Sequence, residues 1–184
     1  AKAEEIDKIT YLLLGRLASS YENIVFNIAE RMMLSAVALA YNKDLKEMKA
    51  LFKKKGDIGN VVESVAKGRG KGLSVSQVYD RARAIAQDQG EGSQDRKIKE
   101  MAVLLKDLDP LSAKFVARIP VGKLRLGFSD KTILDALSWV ENGDKSLKSA
   151  LEKAYRTTPD VGALAKKVKT GGIIKASKDA AITL

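Results

Sequence analysis

Apolar residues in this chain recur every three or four positions, and they alternate with polar ones for no more than a few residues at a time. That spacing fits one face of a helix and misfits a strand, so it excludes most β architectures at once. Ile6, Ile9, Leu13 and Leu17 set a first helix from about Glu4 to Leu17. Met33, Val37 and Ala40 mark a second, starting near Ala29. Asp44 stands where an N-cap belongs, ahead of "LKEMKALFKKK", with Leu45, Met48 and Phe52 on one side. "SVSQVYDRARAIAQD" repeats the spacing through Val78, Ala82 and Ile85. Ser93 is placed to cap "QDRKIKEMAVLLKDL". Asp109-Pro110 joins a cap residue to a proline suited to the first helical position. Ser129 is placed to cap "DKTILDALSWV". "LKSALEKAYRT" and "ALAKKVKTGG" supply two more helices, and the tail "IIKASKDAAITL" has no strong period. The expected fold class is all-α, a compact multi-helix domain of roughly eight to ten helices.

The chain has 184 residues, 45% of them hydrophobic and only 5% aromatic. That is enough apolar material for one domain of ordinary size. Lys and Arg number 33 against 23 Asp and Glu, a formal charge of +10. Such an excess makes nucleic acid the first partner to consider. Cysteine and histidine are both absent. Disulfides, thiolate metal sites, His-based nucleophile pairs and the commonest metal ligand are therefore excluded. No apolar run is long enough to span a bilayer. The start, "AKAEEIDKI", carries charges where a signal peptide needs apolar residues. An intracellular location, cytoplasmic or nucleoid in a prokaryote, is expected, with no membrane partner.

The loops carry the candidate chemistry. In "VGKLRLGFSDK", Gly122 and Gly127 lack a Cβ, which lets backbone amides approach an anion. Ser129 begins a helix whose free N–H groups favour negative charge. Lys123 and Arg125 lie two apart; if the stretch is extended they project together while Leu124 and Leu126 anchor it. Lys131 adds a cation to the same segment. A second helix start combines Gly92 and Ser93 with Arg96 and Lys97. A plain Ser cap among solvated charges explains that set equally simply. In "GDIGN" and "PDVG" the aspartates read as caps, leaving backbone amides and Asn60 as candidate contacts. "KGRGKGLSVS" (67–76) is not a Walker A loop, because Lys71 is followed by Gly72. It reads either as a phosphate clamp or as a mobile surface connector.

Two stretches repeat. Residues 24–37 lie over 124–137: Ile24 meets Leu124, Phe26 meets Leu126, Asn27 meets Gly127, Glu30 meets Asp130 and Leu34 meets Leu134. After a slip of three, 56–68 lie over 159–171, matching Asp57 to Asp160 and Gly59 to Gly162. The reading is an internal pseudo-two-fold duplication of halves at about 8–68 and 113–171, joined by 69–112. Chance similarity between helix-loop-helix segments is the competing explanation.

"KITYLLLGRL", "KKKGDIGNVVESV", "GEGSQDRKIKEMAVLL", "AKFVARIPVGKLRLGFSDKTILDAL" and "AYRTTPDVGALAKKV" occur in that order. Together they resemble the N-terminal DNA-binding domain of ATP-dependent DNA ligases of the archaeal and eukaryotic type, over nearly all of 1–184. The resemblance implies an all-helical, duplicated module. It would lie across the minor groove of nicked duplex DNA and hold the nick for adenylation and OB-fold domains, in replication, repair and recombination. Loops of both halves would touch phosphates and sugars without reading sequence. The residues expected to bind DNA are Gly122, Lys123, Arg125, Gly127, Ser129, Lys131, Gly92, Ser93, Arg96, Lys97, Asn27, Arg31 and Asn60. Asn27 stands where the family often has glycine. The family's nucleotidyl-accepting K-x-D-G motif is absent, so no catalytic centre and no cofactor site is expected here, while ATP and Mg2+ are expected for the full-length enzyme. The chain reads as a domain fragment lacking one or two opening helices and stopping about where an adenylation domain should begin. Expected partners are nicked double-stranded DNA and the catalytic domains of the same ligase; a sliding clamp is a further candidate. RNA duplex is a weaker variant, and the rival from a different class is a helical protein-interaction domain unrelated to ligation.

Overall fold

A computed structural model describes the backbone of residues 2–182 and the side chains of residues 2–172. Among the described residues there are ten helices and no strand. They are α1 (Ile6–Leu13), α2 (Glu30–Ala40), α3 (Leu45–Lys55), α4 (Ile58–Val65), α5 (Val75–Gln87), α6 (Ser93–Lys106), α7 (Pro110–Arg118), α8 (Asp130–Asn142), α9 (Lys148–Thr157) and α10 (Val161–Ile182). The helical spacing of apolar residues is thus realised throughout.

Local chemistry sets most boundaries. Asp44 accepts from the amides of Lys46 and Glu47 at the start of α3, and Asp109 does the same for Leu111 and Ser112 at α7. Ser74 and Ser129 each form a reciprocal capping box, with Gln77 and Thr132. Helix α1 ends four residues before the expected Leu17, since Gly15 turns left-handed at φ 71°. Ser93 is not the cap of α6 as the sequence suggested. It is the first helical residue, and Gly92, at φ 72°, occupies the cap position without a side-chain bond. The backbone breaks at Gly172, φ 74° and ψ 168°, and helix resumes beyond it to Ile182.

The chain divides into two compact units: residues 24–124, and residues 1–23 with 125–184. The first holds α2–α7, the second α1 and α8–α10. These units do not coincide with the halves drawn from the repeat, because each contains a helix from the other half's sequence.

Within the 24–124 unit, α7 packs on α4 and α2 packs on α6. The crossing of α4 and α7 is keyed by the "DIGN" motif. Asp57 accepts from the Asn60 amide at 2.8 Å, capping α4, and from Arg118 Nε and Nη2 at 3.0 and 2.8 Å. Arg118 also donates to the Asn60 side-chain oxygen at 3.2 Å. Gly59 lets α7 come this close, since a Cβ there would lie 2.5 Å from Arg118 Nε and 2.7 Å from the Lys114 carbonyl.

Within the other unit, α1 packs on α10, which also meets α8 and α9. Asp160 accepts from the Ala163 amide at 2.9 Å and from the Tyr11 hydroxyl at 2.6 Å. A Cβ on Gly162 would lie 2.3 Å from Tyr11 Cζ. The repeated D-[IV]-G motif therefore performs the same task in each unit: its Asp caps a helix and ties a crossing helix, and its Gly makes room for that crossing.

Candidate nucleic-acid interface

Each unit contains a helix preceded by an irregular segment, and the two share a left-handed residue three before the helix and an acid at its first position, while their backbones differ at Arg125, left-handed at φ 60° where Val25 is not. Residues 23–29 lead into α2 and residues 123–129 into α8. The matched positions 27 and 127 are both left-handed: Asn27 at φ 51° and Gly127 at φ 72°. Asparagine is among the few residues with a side chain that tolerate this region, which explains its substitution for glycine.

The acid at the first helical position is neutralised in both. Lys123 pairs with Glu30 in one unit, and Arg16 pairs with Asp130 at 2.8 Å in the other. Asp130 also accepts from the Tyr155 hydroxyl. Burial and this carboxylate push the Tyr155 hydroxyl up to about 12, so it stays a donor at neutral pH. The next residue in each helix is an exposed cation, Arg31 or Lys131. Neither makes an ion pair among the described residues. A helix start whose acid is cancelled and whose neighbouring cation is available presents net positive charge and oriented amides to an incoming anion. At α2 those first-turn amides have no side-chain cap, because the cap residue is Ala29.

The remaining candidates fare differently. Gly122, at φ 66°, and Gly127 have open space where a Cβ would project, and Ser129 is exposed while capping α8. Lys123 is exposed but engaged by Glu30. Arg125 is exposed at φ 60°, so the stretch is not extended and the premise that Lys123 and Arg125 project together fails. Leu126 is not an anchor either, since it is 38% exposed.

Lys97 is a correction. Its side chain is buried, 4% exposed, and its ammonium donates to the carbonyls of Phe26 at 2.8 Å and Ala86 at 3.1 Å. It faces inward and cannot meet a phosphate. Arg96 is also committed: it holds Asp88 through Nε and Nη2, at 2.9 and 2.7 Å, and bonds the carbonyls of Gln89 and Glu91. Its guanidinium keeps the Asp88 carboxyl below the usual range. Arg96 thus shapes the loop through Gly92 and Ser93. Asn60 accepts from Arg118, so its side chain serves the α4–α7 crossing. The 67–76 loop is pinned. The Lys71 amide donates to the Asp107 carbonyl at 2.8 Å and its ammonium pairs with the Asp107 carboxylate at 2.8 Å. Gly70 sits against the backbone of 107–109. Gly70 and Lys71 thus dock this loop on the 107–109 turn, while Gly68 and Gly72 have open space around them.

Arg16, Glu30 and Asp130 escaped the sequence reading. The shared acid at 30 and 130 was visible, but its cation partners lie far away in sequence. No group of three or more residues able to hold a metal ion occurs among the described residues, and no helix there is long and apolar enough to cross a membrane.

Fold and site first define a class: all-helical modules with cationic helix starts, each set by a left-handed residue three before the helix. Comparison with known proteins narrows this. The family described as DNA ligase N terminus matches residues 1–138, three quarters of the chain, and the chain belongs to that family. It is 42% identical over 170 residues to a probable DNA ligase of Dictyoglomus thermophilum, covering 92% of this chain and 29% of that protein. It is 44% identical over 181 residues to a DNA ligase of Pyrobaculum islandicum, covering 93% and 30%. It is 40% identical over 183 residues to DNA ligase 2 of Thermofilum pendens, covering 92% and 30%. The chain thus spans a little under a third of the length of these relatives.

Proposed function

We propose that this chain grips nicked duplex DNA without sequence preference, through sugar-phosphate and minor-groove contacts. It would position the nick for the adenylation and OB-fold domains of a longer ATP-dependent DNA ligase acting in replication, repair and recombination. The observation that carries this reading is the pair of matched helix starts. In each, the carboxylate is cancelled and the exposed Arg31 or Lys131 follows a left-handed residue. Contacts of this kind answer to backbone charge and groove shape, not to base identity. Gly122, Gly127 and Ser129 would contribute close backbone approach, and Arg125 a guanidinium for the minor groove.

Lys97 and Arg96 act in this reading by holding the loops that meet DNA. ATP and Mg2+ belong to the other domains of the longer protein, as does the nucleotidyl-accepting lysine. A sliding clamp remains a partner to test rather than one that any residue here identifies. The experiment is titration of a nicked duplex with the chain at several salt concentrations. Five or so phosphate contacts give a slope of log affinity against log salt of about −4 to −5. Binding that ignores salt, or binding only to protein partners, would favour the helical protein-interaction alternative.

A further inference from the structure

Charge is spread unevenly over this chain, and its densest stretch takes no part in the helix starts described above. Residues 43–55 hold six lysines against two acids, so they supply four of the ten net positive charges. Lys43, Lys46, Lys49, Lys53, Lys54 and Lys55 are all exposed, and none of them makes an ion pair among the described residues. Lys46, Lys49 and Lys53 stand three and four apart along α3, opposite the buried Met48 and half-buried Phe52 that hold the helix to its unit. The helix dipole explains only part of this row. Cations are favoured in the last turn, where Lys53, Lys54 and Lys55 sit, but Lys46 lies in the first turn, where a cation is disfavoured. Like charges three or four apart also weaken a helix, and no acid on α3 stands at that distance from Lys49 or Lys53 to offset them. Folding therefore does not account for the row.

Bonds within the 24–124 unit place the end of α3 close to the start of α2. Gly56 closes α3 at φ 64°, and Asp57 directly after it binds Arg118. The Arg118 carbonyl accepts from the Lys123 amide at 3.0 Å, and the Lys123 ammonium pairs with Glu30 at the first position of α2. From that end the lysine row runs back along α3, away from Arg31. A line of anions that continues past the α2 start would follow it. A protein partner is a poorer fit, because the centre of a protein contact is rich in aromatic side chains and poor in lysine. Ala50 is the one uncharged residue exposed on α3. A sugar-phosphate rail needs only point cations on flexible stems.

We propose that α3 is a separate phosphate-binding row, which holds duplex flanking the nick beyond the reach of the α2 start and lengthens the footprint on that side. The proposal rests on the proposed function and extends it from a pair of helix starts to a stretch of flanking duplex. Each phosphate engaged releases counterions, so the row is read as an added salt dependence that only longer DNA shows. Lys46→Gln, Lys49→Gln and Lys53→Gln together remove three charges from exposed positions. Glutamine has a helix propensity close to that of lysine, so the fold is retained; circular dichroism checks this.

The test measures affinity across a salt series for two nicked duplexes, with about one and about two helical turns on each side of the nick. On the short duplex the unaltered chain and the triple variant are expected to share one slope. On the long duplex the unaltered chain should show a slope steeper by about 2–3, and the variant should lose that increment. Equal slopes on the two duplexes for the unaltered chain, or a variant that keeps the increment, would overturn the proposal. A slope change already present on the short duplex would place these lysines at the nick itself and overturn the flanking assignment. A variant that loses affinity for poly-glutamate and none for the long duplex would mark α3 as facing protein, which also overturns it. Failure of the underlying reading is distinguishable, since the unaltered chain would then show a flat slope on the short duplex as well.

Discussion

Gly59→Ala probes the link between the repeated motif and the segment that α7 delivers. The added Cβ would sit 2.5 Å from Arg118 Nε and 2.7 Å from the Lys114 carbonyl. Ordinary carbon–oxygen contact needs well over 3 Å, so something must move. Arg118 has little freedom, being held by Asp57 at 2.8 and 3.0 Å and by Asn60. The Lys114 carbonyl is main chain, so relief requires α7 to shift bodily by about half an ångström. Overpacking of this kind costs about 1–3 kcal/mol. The better helix propensity of alanine returns up to about 1 kcal/mol. The net expectation is a loss of about 1–2 kcal/mol, or a melting temperature lower by about 3–6 °C for a chain of this size. Thermal unfolding followed by circular dichroism measures it. The Lys123 amide bonds the Arg118 carbonyl at 3.0 Å, so the shift should also disturb the Lys123–Glu30 pair and weaken DNA binding. A variant melting at or above the unaltered chain would refute the close-crossing role of Gly59.

Lys97→Met should weaken DNA binding several-fold without changing the salt slope, since the ammonium faces the Phe26 and Ala86 carbonyls and not solvent; a slope shallower by about one would instead mark a phosphate contact. Asp107→Asn tests the pinned connector. Hydrogen bonds from Lys71 and Arg81 hold the Asp107 carboxyl below its ordinary range. A lowered folded-state value stabilises the protein above the unfolded value of about 4, and that contribution is lost as pH falls through the folded value. The Asn variant should therefore melt lower at neutral pH and converge with the unaltered chain in acid. A melting difference independent of pH would contradict this.

Local chemistry was readable from the sequence, and distant chemistry was not. Asp44, Asp109-Pro110 and Ser129 announce helix starts because a cap acts on amides two or three residues away. Ser93 misled because Gly92 reached the cap position by a left-handed turn that serine does not require. The D-[IV]-G repeat stood out as a pattern, but the need for its glycine appears only when Arg118 and Tyr11 are in place. Lys97 looked like a surface cation at a helix start. Its burial depends on the Phe26 carbonyl, seventy-one residues away. Nothing in an arginine signals the positive φ of Arg125, and such a conformation in a side-chain-bearing residue marks a position worth testing for function. The cations that cancel Glu30 and Asp130 were invisible for the same reason as the burial of Lys97: Lys123 and Arg16 arrive through packing.

The most direct measurement sets the slope of log affinity against log salt on nicked duplex for the unaltered chain beside Arg31→Ala and Lys131→Ala. Matched helix starts that each engage a phosphate require a parent slope of about −4 to −5 and a slope shallower by about one for each variant. Parallel lines for all three chains, or a flat line for the parent, would contradict the claim that these two helix starts hold the DNA backbone.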